Sequence, residues 1–341
     1  MQPSLFSEFT LKGMTLKNRI MMSPMCQYQA AEDGKVNDWH FVHYGTRAIG
    51  GVGLVMLEAT AVEARGRIST ADLGIWSDDH LEGLKRVVEF GHAYGAKMAI
   101  QIGHAGLKAE TPEPNVAPSA VTHFDRYPVP TPLAQEELSA IVEAFRQGAK
   151  RAVEAGFDAI ELHGAHGYLI NQFLSPLTNK REDEYGGSPD NRLRFPLEVI
   201  RAVKAVIPQE MPLLIRVSAS EYSEDSYSLD EMVEMIKRMK EAGVDMVDCS
   251  SGGTLPVPPP ATYPGYQVQF AEAIRKGADI PTIAVGILGT PSLAEEVVRN
   301  GRADVVAIGR ELLRDPHFSK TAALELKADL ELPGSYKRAW Q

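Results

Sequence analysis

The chain has 341 residues, 44% of them hydrophobic and 23% charged, with 35 Lys and Arg against 45 Asp and Glu for a formal charge of −10. This balance excludes disordered, collagen-like and coiled-coil chains, and its acidity argues against nucleic acid or an anionic membrane as a partner. The two cysteines, Cys26 and Cys249, form no CxxC pair and no zinc spacing, which excludes a disulfide framework or zinc ribbon and points to a reducing compartment.

Short apolar runs alternate with amphipathic stretches along the chain. The first strand is predicted at 19–23, and residues 39–44 carry a helical spacing that packs onto the sheet. A strand at 53–59 is followed by a helix at 79–94, with Leu81, Leu84, Val87, Val88 and Phe90 on one face. Then come a strand at 97–101, a Pro-rich loop at 112–132, a helix at 138–155 and a strand at 159–163. A loop at 175–189 leads to a strand at 213–217, a helix at 229–242 and a strand at 246–249. The last elements are a loop at 250–267, a strand at 282–285, a helix at 293–300 and a strand at 305–308. Runs of four to seven residues without sustained alternation read as parallel strands buried on both faces. Gly95, Gly156, Gly243 and Gly301 close helices.

Eight strands alternating with helices predict an α/β fold, a single (β/α)8 TIM barrel with extended βα loops spanning 1–341, in preference to a doubly wound sheet. No basic stretch followed by an apolar one opens the chain. The most apolar windows, such as 52–57, fall far short of the roughly 20 residues a membrane span needs. The expectation is a soluble, cytoplasmic protein that engages neither membrane nor nucleic acid.

Polar residues gather where the strands end. Strand one runs into Ser23, Pro24, Met25, Cys26 and Tyr28; strand three into Gln101 and His104; strand four into His163, His166 and Tyr168; strand five carries Arg216. Such groups cost several kcal/mol inside a sheet unless paired, so a polar ligand at the barrel mouth is expected. Gly286, Gly309 and Arg310 follow strands seven and eight, where barrels hold phosphates. Glycine turns with no ligand are the alternative reading.

His163 and His166 fit three readings: a metal half-site completed by Glu161 or His104, a substrate-binding pair, or partners of neighbouring loops. Tyr168 close by favours substrate binding, because a phenol donates a proton readily and is a rare metal ligand. Cys26 is either an active-site thiol or a small core residue, and Cys249 reads as core.

In this ordered set the sequence resembles the old yellow enzyme family of FMN-dependent ene-reductases, in particular its bacterial thermophilic-like class of NADPH dehydrogenases and xenobiotic reductases. The matching stretches run from Leu16-Lys17-Asn18-Arg19-Ile20 and Ser23-Pro24-Met25-Cys26, through Gln101-Ile102-Gly103-His104 and His163-Gly164-Ala165-His166-Gly167-Tyr168, to Ala307-Ile308-Gly309-Arg310.

The resemblance implies that FMN is bound and that NADPH or NADH is the hydride donor. It implies that Ser23, Pro24, Met25, Ala59 and Gln101 line the isoalloxazine, Arg216 sits by N1 and the C2 carbonyl, and Gly286, Gly309 and Arg310 hold the phosphate. It implies that His163 and His166 bind the substrate oxygen, Tyr168 protonates the substrate, Cys26 modulates the flavin potential and Tyr28 reaches the pocket. Activated alkenes (enones, maleimides, nitroalkenes) are the implied substrates, with ping-pong kinetics. The tail, 330–341, resembles one that enters a neighbouring subunit of a homodimer or homotetramer, where Arg338 would complete the partner's site. Leu107, Tyr222 and Cys249 depart from the family pattern. The competing functions are a metal-dependent barrel hydrolase or aldolase using His163, His166 and Glu161, and a non-catalytic flavin carrier.

Overall fold

The structure, a computed structural model, describes residues 2–340. Met1 and Gln341, the ends of the expected 1–341 domain and of its 330–341 tail, lie outside the described residues.

Eight parallel strands close into a barrel: β1 (Ile20–Met22), β2 (Leu54–Ala61), β3 (Lys97–Gly103), β4 (Ala159–Gly164), β5 (Leu213–Ser218), β6 (Met246–Ser250), β7 (Thr282–Ala284) and β8 (Val305–Ile308). Each pairs with the next, and β8 returns to β1 through Ala307 opposite Met21. The helices lie outside: α1 (Asp38–Ile49), α2 (Leu81–Ala93), α3 (Gln135–Glu154), α4 (Leu169–Leu174), α5 (Pro189–Lys204), α6 (Leu229–Ala242), α7 (Val268–Ala278), α8 (Pro291–Arg299), α9 (Arg310–Arg314) and α10 (Phe318–Glu325). This is the (β/α)8 barrel expected from the alternation.

Strand side chains alternate between the helix layer and the barrel lumen. In β5, Leu213, Ile215 and Val217 face the helices, while Leu214 faces inward with Met21, Leu54, Met56, Ala99, Ala159, Met246 and Ile283. That inner cluster fills the lower lumen. A hairpin of two three-residue strands, Phe9–Leu11 and Met14–Leu16, closes it from below with Met14 and Leu16.

Two residues further along four of the strands, the lumen changes character. Ala99, Ala159, Leu214 and Met246 give way to Gln101, Glu161, Arg216 and Asp248. Gly103, His163, Ser218 and Ser250 form the next step. An apolar floor therefore carries a polar upper layer at the C-terminal ends of the strands.

The predicted helix at 79–94 opens as a 3-10 turn, Asp78–His80. Strand β2 shifts register between Leu57 and Ala59. The helix at 39–44 is α1, and its His40 and His43 are buried. Helix α5 is not among the expected helices; Pro196, in its interior, is a residue that argues against one. Cys249 is fully buried in the core, as expected. Among the described residues, no helix is long and apolar enough to cross a membrane.

Candidate active site

One end of the site is built by the neighbouring strands β7 and β8. Both leave the barrel through glycine: Gly286, at φ 124°, and Gly309. Ile287 is held at φ 54°, a strained setting for a β-branched residue. A cavity of about 510 Å3 opens here, lined by Gln267, Gly286, Gly289, Thr290, Gly309 and Arg310 among others. The N–H groups of Gly286, Ile287 and Gly309 are given to no other backbone carbonyl among the described residues. N–H groups without a backbone acceptor beside a guanidinium form an anion cradle.

The segment after β1 walls the adjoining space. Ser23 N–H donates to the Ile308 carbonyl at 3.0 Å. Gln27 N–H donates to Glu58 Oε2 at 2.8 Å, and Gln27 Nε2 donates to the Met25 carbonyl at 2.8 Å. Ser23, Pro24, Met25 and Cys26 are thereby fixed in a row beside Gly309, where an added Cβ would lie 3.6 Å from Met25 Sδ. Ala59 sits at the β2 register shift and lines a smaller cleft with Gly103, His104, His163 and Tyr168. Burial, with Asp72 and Glu58 nearby, pushes the Cys26 thiol up. It is held as a thiol, which makes it a poor nucleophile. Tyr28, half exposed at φ 53°, lies beside it.

The third part is the His163–Tyr168 turn. His166 (φ 59°) and Gly167 (φ 70°) bend the chain so sharply that His163, His166 and Tyr168 converge. The His163 ring centroid lies 4.7 Å from that of Tyr168 and 5.3 Å from that of His166. Gly167 has no room for a side chain, since a Cβ would meet the Gly253 carbonyl oxygen at 2.5 Å. Asn171 and Gln172 of α4 hold this turn: Gly167 N–H donates to Asn171 Oδ1, and Gln172 Nε2 donates to the Gly167 carbonyl. Lys108 Nζ donates to the carbonyls of His166 (2.8 Å) and Gly253 (2.6 Å), tying three loops together.

The electrostatics keep these groups uncharged. Burial, with Arg216 and Lys108 nearby, holds both imidazoles well below their usual range. Burial holds the Tyr168 phenol well above its own. His163 Nδ1 accepts the Ala165 N–H at 3.4 Å, so its proton sits on Nε2. The arrangement is a set of neutral donors beside a buried cation, Arg216.

The structure thus gathers Ser23, Pro24, Met25, Cys26, Ala59, Gln101, His163, His166, Tyr168, Arg216, Gly286, Gly309 and Arg310 around the upper face of one barrel. It does not bring Arg338 to them. Arg338 is exposed in the tail, where the rings of Tyr336 and Trp340 lean on His317. The metal reading of the histidines finds no geometry. His104 Nε2 is 3.0 Å from Glu63, Glu161 accepts from Gln101, and His166 Nε2 faces Ser250. Among the described residues, no three His, Cys, Asp or Glu groups are placed to hold a metal ion. The departing residues have plain surroundings: Leu107 packs with Ala117 and Tyr127, and the Tyr222 hydroxyl meets Ser251 Oγ at 2.8 Å.

Sequence reading passed over Lys108, Asn171, Gln172 and Asp248 as site residues. Asp248 carried a signal, a carboxylate inside an apolar strand run. Lys108, in a loop, carried none.

A barrel with an anion cradle, a polar upper lumen and a cluster of neutral donors defines a class of enzyme that binds a phosphorylated cofactor. The family model for the NADH:flavin oxidoreductase / NADH oxidase family matches residues 4–329. An NADPH dehydrogenase of Halalkalibacterium halodurans is 52% identical over 341 residues, covering all of both chains. Morphinone reductase, solved in complex with tetrahydroNAD, is 31% identical with a TM-score of 0.81, covering 97% of this chain and 93% of that one. A 2-naphthoyl-CoA reductase shares the fold, with a TM-score of 0.90 at 24% identity; this chain spans 52% of its length.

The chain belongs to the NADH:flavin oxidoreductase / NADH oxidase family, and the resemblance to the old yellow enzymes holds. It is an FMN-dependent oxidoreductase that draws its electrons from a nicotinamide dinucleotide. The residues fit FMN: a glycine-walled anion cradle lies on the barrel face whose upper lumen holds the buried Arg216 guanidinium.

Proposed function

We propose that the enzyme oxidises NADPH and reduces activated alkenes (enones, maleimides or nitroalkenes) at one site in alternation. The observation that carries this reading is the convergence of His163, His166 and Tyr168 as neutral hydrogen-bond donors at the upper lumen of the barrel. A flavin carrier would need no such donors.

Bound FMN supplies hydride exchange at N5. Arg310, Gly286 and Gly309 hold its phosphate. Ser23, Pro24, Met25, Cys26 and Ala59 would line its ring, and Gln101 and Arg216 would face its pyrimidine edge. His163 Nε2–H and His166 donate to the substrate oxygen and draw electron density away from the double bond, as an oxyanion hole does. The Tyr168 hydroxyl would deliver a proton to the carbon next to the activating group. Tyr28 borders the substrate, and Cys26 tunes the cofactor. The tail brings Arg338 to the site of a neighbouring copy in a homodimer or homotetramer.

The test is anaerobic and takes the two half-reactions separately. Bleaching of the yellow protein by NADPH, followed by recovery of colour on adding an enone, is the expected result. Bleaching without recovery by any of the three alkene classes defeats the reading.

A further inference from the structure

The polar layer above the barrel floor holds two carboxyls and one guanidinium. Glu161 and Asp248 are wholly buried. Gln101 Nε2 donates to Glu161 Oε1 at 2.7 Å, on neighbouring strands in direct register. Glu161 Oε2 has no hydrogen-bond partner, and neither oxygen of Asp248 has one. Arg216 Nε lies 3.1 Å from Asp248 Oδ2. Beneath them, Ala99, Ala159, Leu214 and Met246 offer no side-chain donor.

Two ionised carboxylates here would confront a single positive charge, with Glu161 Oε2 and Asp248 Oδ1 left without hydrogen bond or ion pair. An uncompensated buried charge costs several kcal/mol. The groups facing Glu161 are Gln101 from β3, Arg216 from β5, Asp248 from β6 and His163 on its own strand, with His166 beyond. Both imidazoles are neutral. Among the described residues no second cation stands against the second carboxylate, so a proton is the remaining way to remove the surplus charge.

We infer that Glu161 and Asp248 hold one proton between them at neutral pH, and that this proton fixes the charge Arg216 presents to the flavin and with it the flavin midpoint potential. Burial and the facing Asp248 push Glu161 up to about 8, and burial raises Asp248 as well. The inference rests on the reading that Arg216 and Gln101 face the pyrimidine edge. Reduction by hydride brings two electrons and one proton to the cofactor and leaves one negative charge beside Arg216. Below the titration of the pair, its proton count stays the same. Above it, the pair takes up one further proton from solvent.

The test is the midpoint potential of the FMN-loaded protein against pH, for the wild type and Glu161→Gln. The variant keeps an oxygen for Gln101 and fixes the neutral charge. The two potentials should coincide near pH 6. Near pH 9.5 the variant should lie higher by at least tenfold in the oxidised-to-reduced equilibrium, about 30 mV for a two-electron couple. A gap already present near pH 6, or none at either pH, overturns the inference. If Glu161→Gln does not fold, the wild type decides: its potential should fall more steeply above about pH 8, and an unchanged slope overturns the inference. Arg216→Met separates the two levels of the argument. A lowered potential in that variant with no effect of Glu161→Gln sinks the inference alone. An unmoved potential in Arg216→Met sinks the placement of Arg216 and the inference with it.

Discussion

Nε2 of His166 lies 2.7 Å from the hydroxyl of Ser250. The ring is neutral, because burial and Arg216 hold it well below its usual range. It therefore carries one proton, and Ser250 decides where that proton sits. The other partner of Ser250, Gln267 Oε1, is a distant 3.5 Å, which leaves the hydroxyl hydrogen free to point at Nε2. His166 then bears its proton on Nδ1, the nitrogen turned away from Ser250.

The first expected outcome follows from that tautomer. Ser250→Ala removes the donor and lets the His166 proton return to Nε2. Loss of one hydrogen bond of this kind is worth about 1–1.5 kcal/mol. Affinity for a phenolic ligand, read from flavin difference spectra, should fall about tenfold while FMN loading stays intact. Unchanged phenol binding would show that His166 does not donate to ligands.

Tyr168→Phe should leave reduction by NADPH nearly intact and slow the alkene half-reaction by about 10²–10⁴-fold. In the wild type, burial keeps the phenol protonated well past neutral pH. The alkene half-reaction should therefore be flat from about pH 6 to 8, below the titration of the Glu161–Asp248 pair. Stopped-flow traces of the two half-reactions check both statements, and equal impairment of both would remove Tyr168 from the proton-donor role.

Arg310→Ala separates phosphate from ring binding. A hydrogen bond to a charged group is worth about 1.5–3 kcal/mol, so FMN affinity should drop about 10–100-fold. Riboflavin, which has no phosphate, should bind both proteins alike. Fluorescence quenching on titrating each flavin into apoprotein reads the difference. Equal losses for the two flavins would place Arg310 at the ring rather than the phosphate.

The upper lumen was legible in the sequence because strands alternate with a period of two. Ala159, Glu161 and His163 are successive inward residues, as are Leu214, Arg216 and Ser218, so the step from floor to site can be counted along the chain. The glycines after β7 and β8 were legible for the same reason: they stand where barrel strands end. Lys108 was not. Its three-loop clasp depends on the fold of a long loop, which has no period. The N-terminal hairpin strands are three residues each, too short for alternation to show. The partner of Arg216 escaped because only the register of β5 on β6 sets Asp248 directly opposite Arg216, and that register is not written in either strand alone.

Glu58 gives the last expected outcome. It stands at the β2 register shift, wholly buried, and accepts the Gln27 N–H and the Tyr44 hydroxyl. Burial raises it from 4.5 to about 7. Between those values the folded protein holds a proton that the unfolded chain has released. Stability must therefore fall as pH rises from about 4.5 to about 7, and then level off. At 1.36 kcal/mol per pH unit the fall is about 3 kcal/mol at most. Urea midpoints at pH 5 and pH 8 should differ in the wild type, with the lower midpoint at pH 8. Glu58→Gln cannot ionise and should lose most of that difference. Because Gln27 N–H then faces an amide, the variant should also loosen the Ser23–Cys26 wall and weaken FMN binding. A pH dependence in Glu58→Gln equal to the wild type would assign the slope to Glu161, Asp248 or Asp72, the other buried acids that burial raises.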